Sequence, residues 1–248
     1  MPSAGEAVAS GTPRRSRVFR LLLGSLAALM VAVLLGLGVW QIERRAWKLD
    51  LIARVEDRIH AEPVAAPGPE AWGSVNGAND EYRHVRLQGR FLPGETFVQA
   101  VTDLGGGFWV LAPFRTETGF VVLVNRGFVP PERRDPTNRP ATPPGGDPTT
   151  ITGLLRLSEP KGGFLRSNDP AAGRWYSRDV AAIAQAQGLG TVAPYFVDAD
   201  AGPTAGGWPV GGLTVVTFPN NHLVYALTWF TLAVMVATGA LYALKRRD

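Results

Sequence analysis

The chain has 248 residues, a formal net charge of +4, a sequence pI near 9.7 and no cysteine. Without thiols there is no disulfide scaffold, no thiol redox chemistry and no thiolate metal site; only Met1, Met30 and Met235 supply sulfur. The mean hydropathy of +0.03 resembles that of a soluble protein, but it averages two unlike parts. Leu21–Trp40 and Leu223–Leu244 carry no charge and are almost wholly apolar, and each is long enough as a helix to cross about 30 Å of hydrocarbon. The sequence therefore reads as a membrane protein.

In chain order, residues 1–17 are small, polar and Pro-containing and read as a disordered cytoplasmic tail. A first transmembrane helix is predicted over 18–42. Arg14, Arg15, Arg17 and Arg20 precede it, and Lys245, Arg246 and Arg247 follow the second apolar run. This positive-inside pattern places both termini in the cytoplasm or matrix. Much of the basic charge then belongs to membrane flanks, so the pI does not call for a nucleic-acid partner. Arg44, Arg45 and Lys48 pull the other way, but a segment as long as 43–222 translocates largely regardless of charge. The first apolar run exceeds a signal-peptide core and no small-residue cleavage site follows, so it reads as an uncleaved anchor. Trp40, Arg44, Trp47, Leu51 and Val55 recur at helical spacing, extending that helix to about Ile59, before Pro63.

Residues 63–79 read as loop. Strands are predicted over 82–91, 96–101, 108–115, 120–128, 150–157, 175–177, 195–198 and 213–218, with Gly105–Gly107 as a turn and Pro113 marking an edge or bulge. Residues 129–148 contain seven prolines and read as a surface loop. One amphipathic helix fits 178–187, closed by Gly188. Helices do not alternate with strands. The expected fold is a two-helix transmembrane hairpin (18–42 and 223–244) bearing a β-rich, α+β extracytoplasmic domain, an antiparallel barrel or sandwich, with 245–248 as a cytoplasmic tail.

Chemistry-bearing residues are sparse. There is no nucleophile elbow, zinc-protease helix or phosphate loop, so an enzyme is not expected. Asp198 and Asp200, two apart at a strand end, read as a solvated turn. His60 and His84 read as isolated, His84 on an exposed strand face. His222 differs. It follows Phe218-Pro219-Asn220-Asn221 and opens the second span, where a neutral imidazole is a competent axial ligand for haem iron. His222, Ala226, Trp229, Ala233, Ala237 and Ala240 share one helical stripe. Gly24, Ala28, Ala32 and Gly36 form a small-residue stripe on the first helix, able to admit a neighbouring helix or a flat ligand. A hairpin brings residues 40 and 222 to one membrane surface, so Trp40, Arg44 and Trp47 could join Tyr225 and Trp229 as aromatic walls with a cation for propionates. The same aromatics also suit an interfacial belt.

Two blocks carry a resemblance. Gly38-Val-Trp40-Gln41-Ile-Glu-Arg44-Arg-Ala-Trp47-Lys48 and Asn221-His222-Leu-Val-Tyr225-Ala226-Leu-Thr228-Trp229-Phe230 resemble the first-span and second-span signatures of the Surfeit-locus (Surf/Shy) family of cytochrome c oxidase assembly factors. Between them, residues 85–91, 107–113, 124–130 and 174–179 resemble family blocks in the expected order, with Phe128 where Trp is the more usual residue. The resemblance implies assistance in building a haem-copper oxidase, at or near insertion of haem a into the large subunit. It implies that subunit and haem a synthase as partners; the apolar spans add membrane lipid, and the short leader, with Glu6 and only a few Arg residues, favours a bacterial inner membrane with a periplasmic main domain over an imported mitochondrial precursor. It places on His222 the role of haem a ligand, the only metal contact implied. Tyr225, Trp229, Trp40 and Arg44 could line the site. The alternative is a scaffold that stabilises an oxidase intermediate without holding haem.

Overall fold

The computed structural model describes residues 17–139, 147–163, 165–202, 207–214, 216 and 218–245. Residues 1–16 of the predicted N-terminal tail lie outside these residues, as do the last three positions and parts of the Pro-rich (140–146) and Gly-rich (203–206) segments, whereas Arg17, expected in the tail, opens the first helix. The chain divides into two compact units, Met1–Leu51 with Phe218–Asp248, and Ile52–Thr217. The element order is α1 (Arg17–His60), β1 (Val64–Ala65), β2 (His84–Phe91), β3 (Thr96–Thr102), β4 (Gly105–Thr116), β5 (Val121–Val129), β6 (Thr149–Leu157), α2 (Val180–Ala186), β7 (Val192–Ala199) and α3 (His222–Lys245).

In the first unit, α1 and α3 are both long and apolar enough to cross a membrane, and little of their apolar surface is covered within the protein. They pair antiparallel: Gly38 meets Phe230, Gln41 meets His222, and Lys48 donates to the carbonyl of Pro219. The shielded positions of α1 include Ala27, Val31, Leu34, Gly38, Gln41, Arg45 and Lys48, in alternating steps of four and three. That 3.5-residue period keeps one seam on a partner helix. It differs from the expected stripe, because Ala28, Ala32 and Gly36 are exposed and a Cβ on Gly24 or Gly36 would meet nothing within 4 Å. On α3 the expected stripe does face the partner, with Ala226 and Ala233 buried.

In the second unit, the strands form one sheet in the order β1-β2-β6-β7-β5-β4-β3, and an additional β2–β4 pairing closes it. Of the two expected arrangements the sheet is a barrel. Its neighbours are antiparallel except β5–β7 and the short β1–β2 pair, which are parallel. β4 forms the seam. Its first half pairs with β3 up to Leu111 and its end pairs with β2 from Phe114. Pro113 falls at this change of neighbour, where a missing N–H costs least. Gly105–Gly107, expected as a turn, are instead the start of β4, paired with Thr102, Val101 and Ala100. No strand forms over the described residues of 213–218, and Trp175 makes only an isolated bridge to Val98.

Side-chain alternation builds two cores. Val85, Leu87, Phe114, Val122, Val124, Leu155, Tyr195 and Val197 fill the interior. Leu111, Leu123 and Phe196 point the other way and are covered by Val98, Trp175 and the Val180 and Ile183 face of α2. β5 is therefore buried on both faces and reads as an almost unbroken apolar run. The Asp179 carboxylate accepts from Ala182 N–H at 3.1 Å and caps α2; Gly188, at φ +64°, follows its end. Gly127, at φ +126°, lies against the backbone of Val210, where no Cβ would fit.

Candidate functional site

The polar groups of the barrel converge on Asp198. Strand parity puts it on the outer face of β7 beside Phe196, and it is only 3% exposed. Its carboxylate accepts from Asn125 (2.7 Å), Arg156 (3.0 Å), Arg178 (3.2 Å) and Thr214 (3.1 Å). Glu81 takes a second bond from Arg156 at 2.7 Å, and Glu159 takes one from Arg178 at 2.5 Å. The guanidinium groups lie over the rings of Tyr82 and Phe196. Burial opposes the charge on Arg156, but Asp198 and Glu81 outweigh it and hold the group above its ordinary pKa. Burial likewise opposes the Glu159 carboxylate, and Arg178 outweighs it, leaving the pKa lowered.

This corrects the solvated-turn expectation for Asp198, which the β5, β6 and α2 flanks enclose and neutralise. It also corrects Asp200 and His84. The His84 ring lies 2.8 Å from both Ala61 O and Asp200 Oδ2, with its side chain only 17% exposed. Burial disfavours its charge, but the Asp200 carboxylate, the Ala61 carbonyl and Glu62 together raise its pKa above the ordinary value. His60 stays exposed, its Nδ1 2.9 Å from Glu56 O. A cleft of about 400 Å³ beside these groups has its carboxylates engaged: Asp198 by two arginines, Asp200 by His84, and Glu56 at 4.0 Å from the His60 ring. Among the described residues no group of three or more His, Cys, Asp or Glu could hold a metal ion.

The helix pair offers the contrasting case. Pro219 precedes the turn into α3, and the Tyr225 N–H donates to Asn221 O at 3.3 Å in the first helical turn. His222 opens the helix, and its Nδ1 lies 2.6 Å from Oε1 of Gln41, a residue only 9% exposed. Its Nε2 has no hydrogen-bond partner among the described residues. Trp229, two turns along the same stripe, has a buried Nε1 without a partner, as has Oδ1 of Asn220. Tyr225 is 55% exposed and Trp40 is 53% exposed, both on outer flanks of the pair. Arg44 stacks on Trp47 at 4.0 Å. The structure thus brings Gln41, rather than Trp40 or Arg44, into contact with His222. Gln41 went unremarked as a site residue in the sequence. Its signal was an uncharged polar side chain three residues beyond Gly38 on a 3.5-residue seam, directly after the apolar run.

The SURF1 family model matches residues 28–234, which include most of the first apolar run, the whole barrel and half of α3. The chain is similar to Surfeit locus protein 1 of Mus musculus, with 38% identity over 234 residues covering 88% of this chain and 73% of that protein. Surfeit locus protein 1 of Homo sapiens is 37% identical over 228 residues, covering 85% and 73%. A SURF1-like protein of Monosiga brevicollis is 33% identical over 259 residues, covering 99% and 94%.

Proposed function

The chain belongs to the SURF1 family, and from that premise we propose that it is an assembly factor for haem-copper cytochrome c oxidase, one that carries haem a transiently and assists its insertion into the large oxidase subunit. It does so without covalent chemistry, as a binding and hand-over protein between haem a synthase and that subunit. It spans a bacterial inner membrane twice, with both termini cytoplasmic and the barrel periplasmic. The basic flanks of both apolar helices support this topology.

The observation that supports haem carriage is the donor set. A bare metal ion needs three or four protein ligands, and none are assembled among the described residues. Haem iron arrives with four ring nitrogens and needs only an axial donor. His222 is the only histidine of the first unit, since His60 ends α1 beyond Leu51 and His84 lies in β2, and its Nε2 is unengaged among the described residues. Bound haem would supply a Lewis-acidic iron and a large apolar disc with two carboxylates. Tyr225 and Trp229 would offer aromatic surface, and Arg44 a cation. A single axial donor suits reversible holding, because release then breaks one protein–iron bond.

The test is the visible spectrum of the full chain purified from cells that make haem a, beside that of His222→Ala. Haem a bound by the wild type and lost from the variant is the expected result. A haem-free wild type ends the carrier reading and leaves a scaffold that stabilises an oxidase intermediate. Topology is tested by a phosphatase fusion near Pro140; activity only on the cytoplasmic side overturns it.

A further inference from the structure

We infer that Gln41 is the positioning residue that selects the ligating nitrogen of His222: its amide oxygen holds the proton on Nδ1 and leaves the Nε2 lone pair as the donor to iron. This rests on the haem-carrier reading of His222. The two residues are 181 apart in sequence and meet only because α1 and α3 pair. An amide oxygen only accepts, so an Oε1–Nδ1 separation of 2.6 Å makes Nδ1 the donor. In the neutral ring this fixes one tautomer, Nδ1–H with a bare Nε2. The same bond restrains rotation of the ring, as an outer partner does for a metal-bound histidine.

The position is specific. Trp40 and Ile42, on either side of Gln41, are about half exposed, whereas Gln41 lies on the covered seam with Gly38. Gly38 has no Cβ, which lets the Phe230 ring lie against its backbone one turn from the Gln41 contact. A glutamine that served only to hold two helices together would stabilise the pair through either end of its amide. It would show no preference between the ring nitrogens. The inference requires one end only.

The experiment uses the full chain in detergent with ¹⁵N-labelled histidine. The three histidines are separated by comparison with His222→Ala. The wild type is expected to show a protonated Nδ1 and an unprotonated Nε2 at His222. Gln41→Leu should move the ring toward the Nε2–H tautomer and weaken haem a binding about 10- to 100-fold. Gln41→Glu keeps an acceptor and should restore both the Nδ1–H tautomer and the affinity, with a lower iron reduction potential from the more basic ligand. An Nε2–H tautomer in the wild type, with the amide turned so that its NH2 donates to Nδ1, overturns the inference. So does a Gln41→Leu chain with unchanged tautomer and unchanged affinity, a result that leaves haem carriage standing. Should Gln41→Leu fail to fold, the wild-type tautomer and the Gln41→Glu potential decide alone. A wild type that takes up no haem a overturns carriage, and with it the ligand role of Nε2, even if the Nδ1–H tautomer is observed.

Discussion

The barrel and the helix pair treat polar side chains in opposite ways. In the barrel the buried carboxylate of Asp198 receives bonds from Asn125, Arg156, Arg178 and Thr214, and those arginines are shared with Glu81 and Glu159. Even the exceptions are partial: Arg139 and Gln187 each have one unpartnered atom but bond Glu95 and Thr96 through others. In the helix pair, Nε2 of His222, Oδ1 of Asn220 and Nε1 of Trp229 have no partner among the described residues. A saturated polar group is architecture, because using it for anything else breaks bonds already made. An unsaturated one is free to meet a ligand. On the haem-carrier proposal, that difference is what separates the helices, as the part open to a ligand, from the more heavily ionised barrel.

The contrast can be broken or sharpened by mutation. The largest effect is expected from Asp198→Leu, which leaves Arg156 and Arg178 facing an apolar side chain. Loss of one partner from a buried ion cluster costs about 3–5 kcal/mol, read as a fall in denaturation midpoint by tryptophan fluorescence. A loss under about 1 kcal/mol would mean the network is not architectural. Next is Gly38→Leu, whose side chain must displace the Phe230 ring. Overpacking of this kind costs about 1–3 kcal/mol and should separate Gln41 from His222, seen as a changed His222 ¹⁵N shift with an unaltered barrel melting point. Tyr195→Phe removes the 2.6 Å bond from the Tyr195 hydroxyl to Pro67 O. Burial pushes that phenol far above its ordinary pKa, so no charge is lost and the cost is about 1 kcal/mol. The smallest effect is pH dependence at His84. Its pKa is raised by folding, so its contribution is complete below about pH 6.5 and is lost as pH rises through the higher folded value. The wild-type barrel should lose stability as pH rises above about 6.5, and His84→Gln should flatten that slope. A slope unchanged by the substitution would show that the Ala61–His84–Asp200 bridge does not titrate.

Much of this was legible from local pattern. Apolar length gave α1 and α3, helical spacing carried α1 to about Ile59 against an observed end at His60, and β-branched runs gave most strands. The stripe from His222 to Ala240 was readable because it follows α3's own periodicity. What local pattern does not hold is which face meets what. The Gly24–Gly36 stripe is as regular as the true seam, but small residues are permitted at an interface, not required there. Asp198 looked like a turn residue because its partners Asn125, Arg156 and Arg178 are distant in sequence and converge only when β5, β6 and α2 flank β7. Gly105–Gly107 looked like a turn because glycine marks tight turns, whereas Gly107 is needed in β4 for close approach to Phe128 and Val129. Gln41 was legible only as part of a family signature; its role needs α3 in place.

The β4 seam and the parallel β5–β7 contact also set the order in which the chain becomes a folded object. β3, β4 and β5 are neighbours in sequence and can form a meander at low loop-closure cost. The barrel has no wall beside β5 until β7 arrives, after the whole of residues 130–191 has been made and bridged. Until then the β5 edge along Val121, Leu123 and Asn125 offers unpaired backbone to any strand within reach. Closing the barrel therefore depends on its pairing of longest sequence separation, and the β5 edge is open to other strands until that pairing forms.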